Sequence, residues 1–200
     1  MSADPETLAV YAKKADDYAA LTAGDRPMPA LAAFIQAIPR GGRVLDLGCG
    51  PGMSSAFMRD AGLRPDPVDA SPEMIEIARD THGLDARVAT FDDLKEVDVY
   101  DGVWANFSLL HAPRADLPHH LTAIAQSMTP GGHFHIGMKT GTGERRDALG
   151  RRYTFVEVPE LRGLLNAVGI EVLTEKEGSE PGLAGTVDPF VLMLGRLTGA

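Results

Sequence analysis

The amino-acid sequence predicts an α/β protein in which a mostly parallel sheet carries helices on both faces. Three observations lead there. Short apolar runs of strand length alternate with segments of helical period from residue 43 onward. A glycine-rich turn separates the first of those runs from the helix after it. The 200 residues, 44% hydrophobic and 24% charged, have the size and balance of one ordinary globular domain. Right-handed crossovers follow from the alternation, and ligands of such sheets bind beyond the carboxyl ends of the strands.

Each element has its own signal. Leu8, Tyr11, Ala15 and Tyr18 recur at offsets of 3, 4 and 3, predicting one amphipathic N-terminal helix. A second helix is expected over residues 28–38, with Leu31, Phe34, Ile35 and Ile38 on one side. Residues 43–47 read as the first strand, followed by the glycine loop and a helix to about Asp60, with Gly62 at its left-handed end. A second strand is expected over residues 65–69. Pro65 and Pro67 lack ladder hydrogens, which predicts that this strand is short or irregular. Ser71-Pro72 opens the next helix with a capping residue and a proline in its first turn. Three more strands are expected over residues 87–89, 99–105 and 133–138, with a helix containing Leu121, Ile124, Ala125 and Met128 before the last. Leu161, Leu164, Leu165 and Val168 mark a helix ended by Gly169, and residues 170–173 and 190–194 close the chain as strands.

Composition excludes several classes. Nineteen bases against 28 acids give a net charge of −9, so the surface repels phosphate backbones and a general nucleic-acid binder is not expected. Cys49 is the only cysteine, which excludes an intrachain disulfide and a Cys-rich zinc site. The first ten residues carry two acids and no base, the wrong start for a signal peptide. The longest stretch free of Lys, Arg, Asp and Glu falls within residues 117–138. It holds four histidines and is cut by Pro130-Gly131-Gly132, so it cannot span a bilayer. A soluble, cytoplasmic protein without a metal is expected.

The run Val44-Leu45-Asp46-Leu47-Gly48-Cys49-Gly50-Pro51-Gly52 places three glycines between strand and helix. Glycines there let the backbone approach a ligand that a Cβ would exclude, although tight turns also use glycine for structure alone. A dinucleotide fingerprint needs glycine at the sixth position, which here is Met53, and this counts against NAD. Asp46, at the end of the strand, is placed to meet an ammonium group. Asp69, at the end of the second strand, is placed to accept hydrogen bonds from both hydroxyls of a ribose.

With these residues the chain resembles the class I S-adenosylmethionine-dependent methyltransferases, the nonapeptide matching their first motif and Val68-Asp69-Ala70-Ser71 their ribose-binding acid. The resemblance implies a Rossmann-like, doubly wound seven-stranded sheet in the order 3-2-1-4-5-7-6, with strand 7 antiparallel. It implies a single domain over 1–200, with residues 1–40 a helical lid and 41–200 the core. The backbones of Gly48, Gly50 and Ala70 then cradle S-adenosylmethionine, and the product is S-adenosylhomocysteine. Thr90, Phe91, Asp92 and Asp93 share the adenine contact, with Thr90 standing where the family usually has an acid. Asn106 and Phe107 belong to the stretch that passes beneath the sulfonium. Cys49 reads as a small residue of the cofactor loop rather than a nucleophilic thiol. Tyr11, and less directly Tyr18, read either as the face of a surface helix or as part of a lid over the cofactor.

His111 is the best-placed general base for an acceptor that needs one, with a pocket-wall role as the alternative. His133 and His135 share a strand face and are expected to pack, while His119 and His120 are expected on a solvated helix turn. The stretch from Lys139 to Tyr153 matches a pattern K-x-G-x-G-E-x-x-D-x-x-G-R-x-Y, which resembles small methyltransferases of the tellurite-resistance and ubiquinone-biosynthesis type. Lys139, Arg151 and Tyr153 are therefore expected to line an acceptor pocket favouring an anionic group, gripped by the guanidinium through two parallel hydrogen bonds. Arg145, Arg146 and Arg152 read as solvated loop residues. The function expected is methyl transfer to a small molecule by in-line displacement. A non-catalytic S-adenosylmethionine-binding sensor or activator subunit is the alternative, and an NAD-dependent oxidoreductase the third reading.

Overall fold

A computed structural model describes residues 3–199. The elements run α1 (Pro5–Lys13), α2 (Ala15–Thr22), α3 (Pro29–Ala37), β1 (Arg43–Leu47), α4 (Met53–Asp60), β2 (Arg64–Asp69), α5 (Pro72–His82) and β3 (Arg87–Val88). They continue with β4 (Tyr100–Asn106), α6 (Leu117–Ser127), β5 (Met128–Lys139), β6 (Glu144–Arg146), β7 (Arg152–Thr154), α7 (Val158–Ala167), β8 (Ile170–Pro181) and β9 (Val187–Leu197). Seven strands form one sheet in the order β3-β2-β1-β4-β5-β9-β8, with β6 and β7 a separate two-stranded ribbon. Counting the large sheet alone, this is the order 3-2-1-4-5-7-6, and its last strand, β9, runs antiparallel to both neighbours.

Strand alternation divides the core. Leu45 and Leu47 of β1, Val103 and Ala105 of β4, and Phe134, Ile136 and Met138 of β5 face α6 and α7, whose Leu121, Ile124, Leu161 and Leu165 fill that side. The opposite face presents Val44 and Trp104 to Leu31 and Phe34 of α3 and Met58 of α4. Asp46, Trp104 and His135 are register partners across β1, β4 and β5, so all three belong to this second face. Because α3 is packed against the sheet, α1, α2 and the connection after them, residues 23–28, are the parts of the N-terminal region that cover the sheet edge.

Several expectations change. The N-terminal helix is broken at Lys14, whose backbone leaves the helical region at φ −119°, ψ 22°. Tyr11 and Tyr18 nevertheless stay on a common side, their rings edge to face at 5.4 Å. The second strand is regular, pairing with β1 over five consecutive positions. Its even residues face β1: Arg64 N–H donates to the Gly42 carbonyl, and the Val68 carbonyl accepts from Gly48. Its odd residues face β3, where Ala89 N–H donates to the Asp69 carbonyl. Pro65 and Pro67 are odd, and β3 pairs only with Val68 and Asp69, so neither proline faces a partner that wants its missing hydrogen.

The last two strands are not short runs but a long hairpin of twelve and eleven residues. The stretch after β5, expected as a loop, contains the β6–β7 ribbon. Met128 is extended and opens β5 rather than ending α6. His120 is also not solvated: it is 2% exposed, packs against Phe91 at 5.5 Å between ring centres, and burial lowers its pKa. No helix among the described residues is long and apolar enough to cross a membrane.

Candidate active site

The turn after β1 is built by two backbone requirements. Gly48 has φ +79°, and a Cβ there would lie 2.3 Å from Cβ of Ser108, so only glycine lets this loop meet the segment after β4. Gly52, at φ +88°, starts α4 where a Cβ would strike Leu84 and Ala78. The Gly48 and Cys49 N–H groups both donate to the Val68 carbonyl, joining the loop to the end of β2.

Asp69 closes that corner. Its Oδ2 accepts from Gly50 N–H and its Oδ1 from Ser71 N–H, both at 2.9 Å, and burial raises its pKa. A cleft of about 760 Å³, its open mouth included, runs from Asp69, Ala70, Thr90 and Phe91 to Asn106 and His111. Thr7, Leu8, Tyr11 and Tyr18 cover it from α1 and α2. Neither Asp92 nor Asp93 lines it. Asp93 Oδ2 instead takes the N–H and hydroxyl of Thr90, both at 2.8 Å, and fixes the turn that presents Thr90 and Phe91.

The cleft joins a second, wider one at Tyr11, Tyr18, Gly48, Gly50, Asn106, Phe107 and His111. Asp46, Cys49, Lys139, Arg151 and Tyr153 line the wider cleft, together with Phe190 and the tip of the β8–β9 hairpin. Asp46 is 2% exposed and accepts from Ser55 Oγ at 2.6 Å. Burial raises its carboxyl to about 7. Burial likewise pushes the Cys49 thiol up, which fits a small loop residue and not a nucleophile.

Asn106 and Phe107 are held from behind. His135 stacks on Trp104 at 3.7 Å, and its Nε2 lies 3.0 Å from Asn106 Oδ1. Burial takes this imidazole down to about 3, so it is neutral and donates that hydrogen. Phe107 has φ +56°, a strained value for an aromatic residue, and its ring meets Phe190 edge to face at 5.5 Å. His135 thus packs, as its strand position predicts, and also orients a residue at the junction.

Lys139, Arg151 and Tyr153 are brought together, but both cations are already paired. Asp147 Oδ2 accepts from Arg151 Nε at 2.9 Å and Nη2 at 2.7 Å, and Arg151 is 2% exposed. The two-pronged grip expected for a substrate is therefore occupied by a carboxylate of this chain. Lys139 Nζ lies 2.5 Å from Asp188 Oδ2 and 4.0 Å from the centre of the Tyr153 ring. Arg146 is not simply solvated: its two Nη groups hold Asp4 at 2.8 and 2.9 Å. Arg152 joins the same carboxylate at 3.6 Å, and Arg145 covers the Phe155 ring. Arg146 and Arg152 fasten α1 to the β6–β7 ribbon.

Asp147, Asp188 and Phe190 are the residues that sequence reasoning missed. Asp147 stands at a fixed position of the lysine-to-tyrosine pattern, where its signal was available. Asp188 sits on the exposed end of the hairpin, where no local signal marks it, and Phe190, which opens the expected last strand, read only as a strand residue. Among the described residues, no group of three or more His, Cys, Asp or Glu is arranged to hold a metal.

The donor set and the glycine cradle fit S-adenosylmethionine: a buried carboxyl at Asp46 that pairs with no cation among the described residues, a second acid at Asp69, and a loop where a Cβ at Gly48 has no room. Comparison with known proteins agrees. Residues 19–176 match the family profile of the methyltransferase domain. A ubiquinone biosynthesis O-methyltransferase of Xanthomonas oryzae pv. oryzae is 36% identical over 104 residues, 48% of this chain and 42% of the relative. The match thus spans less than half the length of that relative. The methyltransferase GfsG of Streptomyces halstedii is 32% identical over 110 residues, 50% of this chain and 38% of its own. Among solved structures, the 1,6-didemethyltoxoflavin-N1-methyltransferase of Burkholderia thailandensis superposes with a TM-score of 0.75 at 25% identity. That match covers 100% of this chain and 92% of that one, which was crystallised with S-adenosylhomocysteine and 1,6-didemethyltoxoflavin. TehB from Haemophilus influenzae shares the fold, with a TM-score of 0.70 at 20% identity, over 92% of this chain and 66% of its own.

Proposed function

From the premise that the chain belongs to the class I S-adenosylmethionine-dependent methyltransferases, we propose that it methylates a small-molecule acceptor held in the wider cleft. One observation carries the reading: a narrow cleft ending at Asp69 opens, at Tyr11, Asn106 and His111, into a second cleft walled by Lys139, Arg151 and Tyr153. When bound, S-adenosylmethionine supplies an electrophilic methyl group with a neutral thioether as its leaving group. Asp69 would hold the ribose hydroxyls, Asp46 the ammonium group, and Thr90 and Phe91 the base. The two walls then have one principal task, which is to hold the nucleophile ~3–3.5 Å from the methyl carbon, a positioning worth ~7–11 kcal/mol.

The pairing of Arg151 with Asp147 and of Lys139 with Asp188 shifts the expected acceptor. An anionic group would have to take Lys139 from Asp188, so a preference for anions rests on that lysine and not on a free guanidinium. The relatives include an O-methyltransferase and an N1-methyltransferase, so likeness does not choose the acceptor atom. The net charge of −9 favours a small molecule over a nucleic acid.

The test has two stages. Calorimetry should show binding of S-adenosylmethionine and S-adenosylhomocysteine but not of NAD. Tritium from the labelled methyl donor should then pass into a small-molecule extract and not into bulk tRNA or protein. Label in the macromolecules would overturn the acceptor class, and binding without any transfer would assign a non-catalytic role.

A further inference from the structure

Tyr11 and His111, a hundred positions apart in sequence, meet where the two clefts join. Tyr11 Oη lies 2.9 Å from His111 Nε2 and 3.0 Å from Arg151 Nη1. A guanidinium has no lone pair to offer, so Arg151 donates to the phenol. His111 Nδ1 lies 2.6 Å from the carbonyl oxygen of Arg152, which only accepts. The hydrogen of the neutral ring therefore sits on Nδ1, and the lone pair of Nε2 faces Tyr11. The phenol hydrogen is donated to that lone pair. Asp147 grips the far side of the guanidinium through Nε and Nη2, which fixes its plane. Every direction along Asp147, Arg151, Tyr11, His111 and the Arg152 carbonyl is thus determined by chemistry.

We infer that Tyr11 and His111 form the proton relay of methyl transfer, Tyr11 Oη receiving the proton of the acceptor while its own hydrogen passes to His111 Nε2. The inference rests on the methyltransferase reading above. As the nucleophile uses its lone pair to form the bond to the methyl carbon, the carbon–sulfur bond breaks and its electron pair stays on sulfur. The proton released by the nucleophile goes to Tyr11, and the imidazole ends as imidazolium with both nitrogens hydrogen-bonded. One positive charge is present before the step, on sulfur, and one after it, on His111.

The surroundings govern when the imidazole takes that charge. The imidazole faces Tyr11 from α1, Lys139 from β5, and Arg151, the Arg152 carbonyl and the Tyr153 ring, 4.8 Å away, from the chain around β7. Burial, together with Arg151 and Lys139, holds it neutral, with a pKa of about 4, while the Arg152 carbonyl and Asp147 act the other way. A sulfonium nearby would add a further cation and keep the base unprotonated until transfer. Once sulfur becomes neutral, that repulsion is gone as the proton arrives.

The test separates the relay from simple packing. In protein labelled with ¹⁵N at histidine, His111 should show the Nδ1–H tautomer at pH 7.5, and it should titrate at higher pH with S-adenosylhomocysteine bound than with S-adenosylmethionine. An Nε2–H tautomer, or the same titration in both complexes, overturns the relay. Tyr11→Phe removes the hydroxyl. His111→Gln keeps an acceptor for the phenol but cannot hold the proton. Each should lower the rate of tritium transfer into a small-molecule extract by about a hundredfold or more, in the range of general acid–base catalysis. Affinity for S-adenosylhomocysteine should stay within threefold in both, about the scatter of ~0.6 kcal/mol. The double variant should be no slower than either single one, and additive losses overturn the proposal. If the native protein binds the nucleoside yet transfers no label, methyl transfer itself is lost, while the tautomer and titration still decide whether the pair is built to pass a proton.

Discussion

The hydroxyl of Ser55, on α4, donates to Oδ2 of Asp46 at 2.6 Å, and this is the hydrogen bond that the buried carboxyl receives from a side chain. Burial wins over it and raises Asp46 from 3.8 to about 7. A ligand ammonium would need the ionised form, so binding near pH 6 should release a proton. Affinity for S-adenosylhomocysteine should fall by about tenfold for each pH unit below that midpoint. The sign for stability is opposite. A carboxyl whose folded pKa lies above its unfolded value favours the unliganded fold at low pH, and that contribution is lost as pH rises through about 7. Calorimetry in two buffers of different ionisation enthalpy measures the proton, and equal apparent heats at pH 6 would exclude this role for Asp46.

Asp69→Ala should weaken S-adenosylhomocysteine binding at least tenfold, because each charge-assisted hydrogen bond to a ribose hydroxyl contributes roughly 1.5–3 kcal/mol. The substitution also releases the N–H groups of Gly50 and Ser71. Asp69→Asn keeps an oxygen for one of them and should fall between. Unchanged affinity in both variants would remove this acid from the binding site.

Asp4 caps α1 and holds Arg146, whose guanidinium keeps the carboxyl far below the usual carboxylate range. Asp4→Ala should cost about 0.5–2 kcal/mol as a lost cap, the ion pair adding little because its Arg146 partner is exposed to solvent. The loss should be local: faster hydrogen exchange in α1, with protection of β1, β4 and β5 unchanged. Because the folded pKa is depressed, the Asp4 contribution is present above the unfolded value near 3.8 and fades as pH falls below it. Uniform loss of protection across the sheet would show that α1 is not a separable cover.

Arg151→Lys should lower kcat or raise the acceptor KM about tenfold or more, since an ammonium cannot reproduce a planar fork that reaches Asp147 and Tyr11 together. Affinity for S-adenosylhomocysteine should be unchanged. Kinetics indistinguishable from the native protein would mean that the fork carries no function.

The sheet and its cradle were readable because their signals are local. Gly48 and Gly52 sit where the backbone must turn left-handed, and β1 is a bare apolar run. Pro65 and Pro67 misled because their cost depends on which side of the strand has a neighbour, a property of β3 and not of β2. The long hairpin from Ile170 to Leu197 was invisible beyond its buried ends, since residues 173–177 of β8 are exposed and lack an apolar face. Tyr11 and His111 were each legible as candidates. Their hydrogen bond was not, because it depends on how α1 folds over the sheet edge and on the distant Arg152 carbonyl that selects the tautomer.

Pro65 of β2 has a consequence beyond its own strand. Because β3 spans only two residues, most of the outer flank of β2 lacks a neighbouring strand. An open flank of this kind ordinarily serves as a template on which a foreign strand, or another copy of the same chain, can be laid down. Beyond the reach of β3, position 65 offers a carbonyl oxygen but no hydrogen, and a ladder cannot be completed from acceptors alone. That stretch of β2 is thereby closed to a further strand, while the carboxyl end of β2 delivers Asp69 to the cleft.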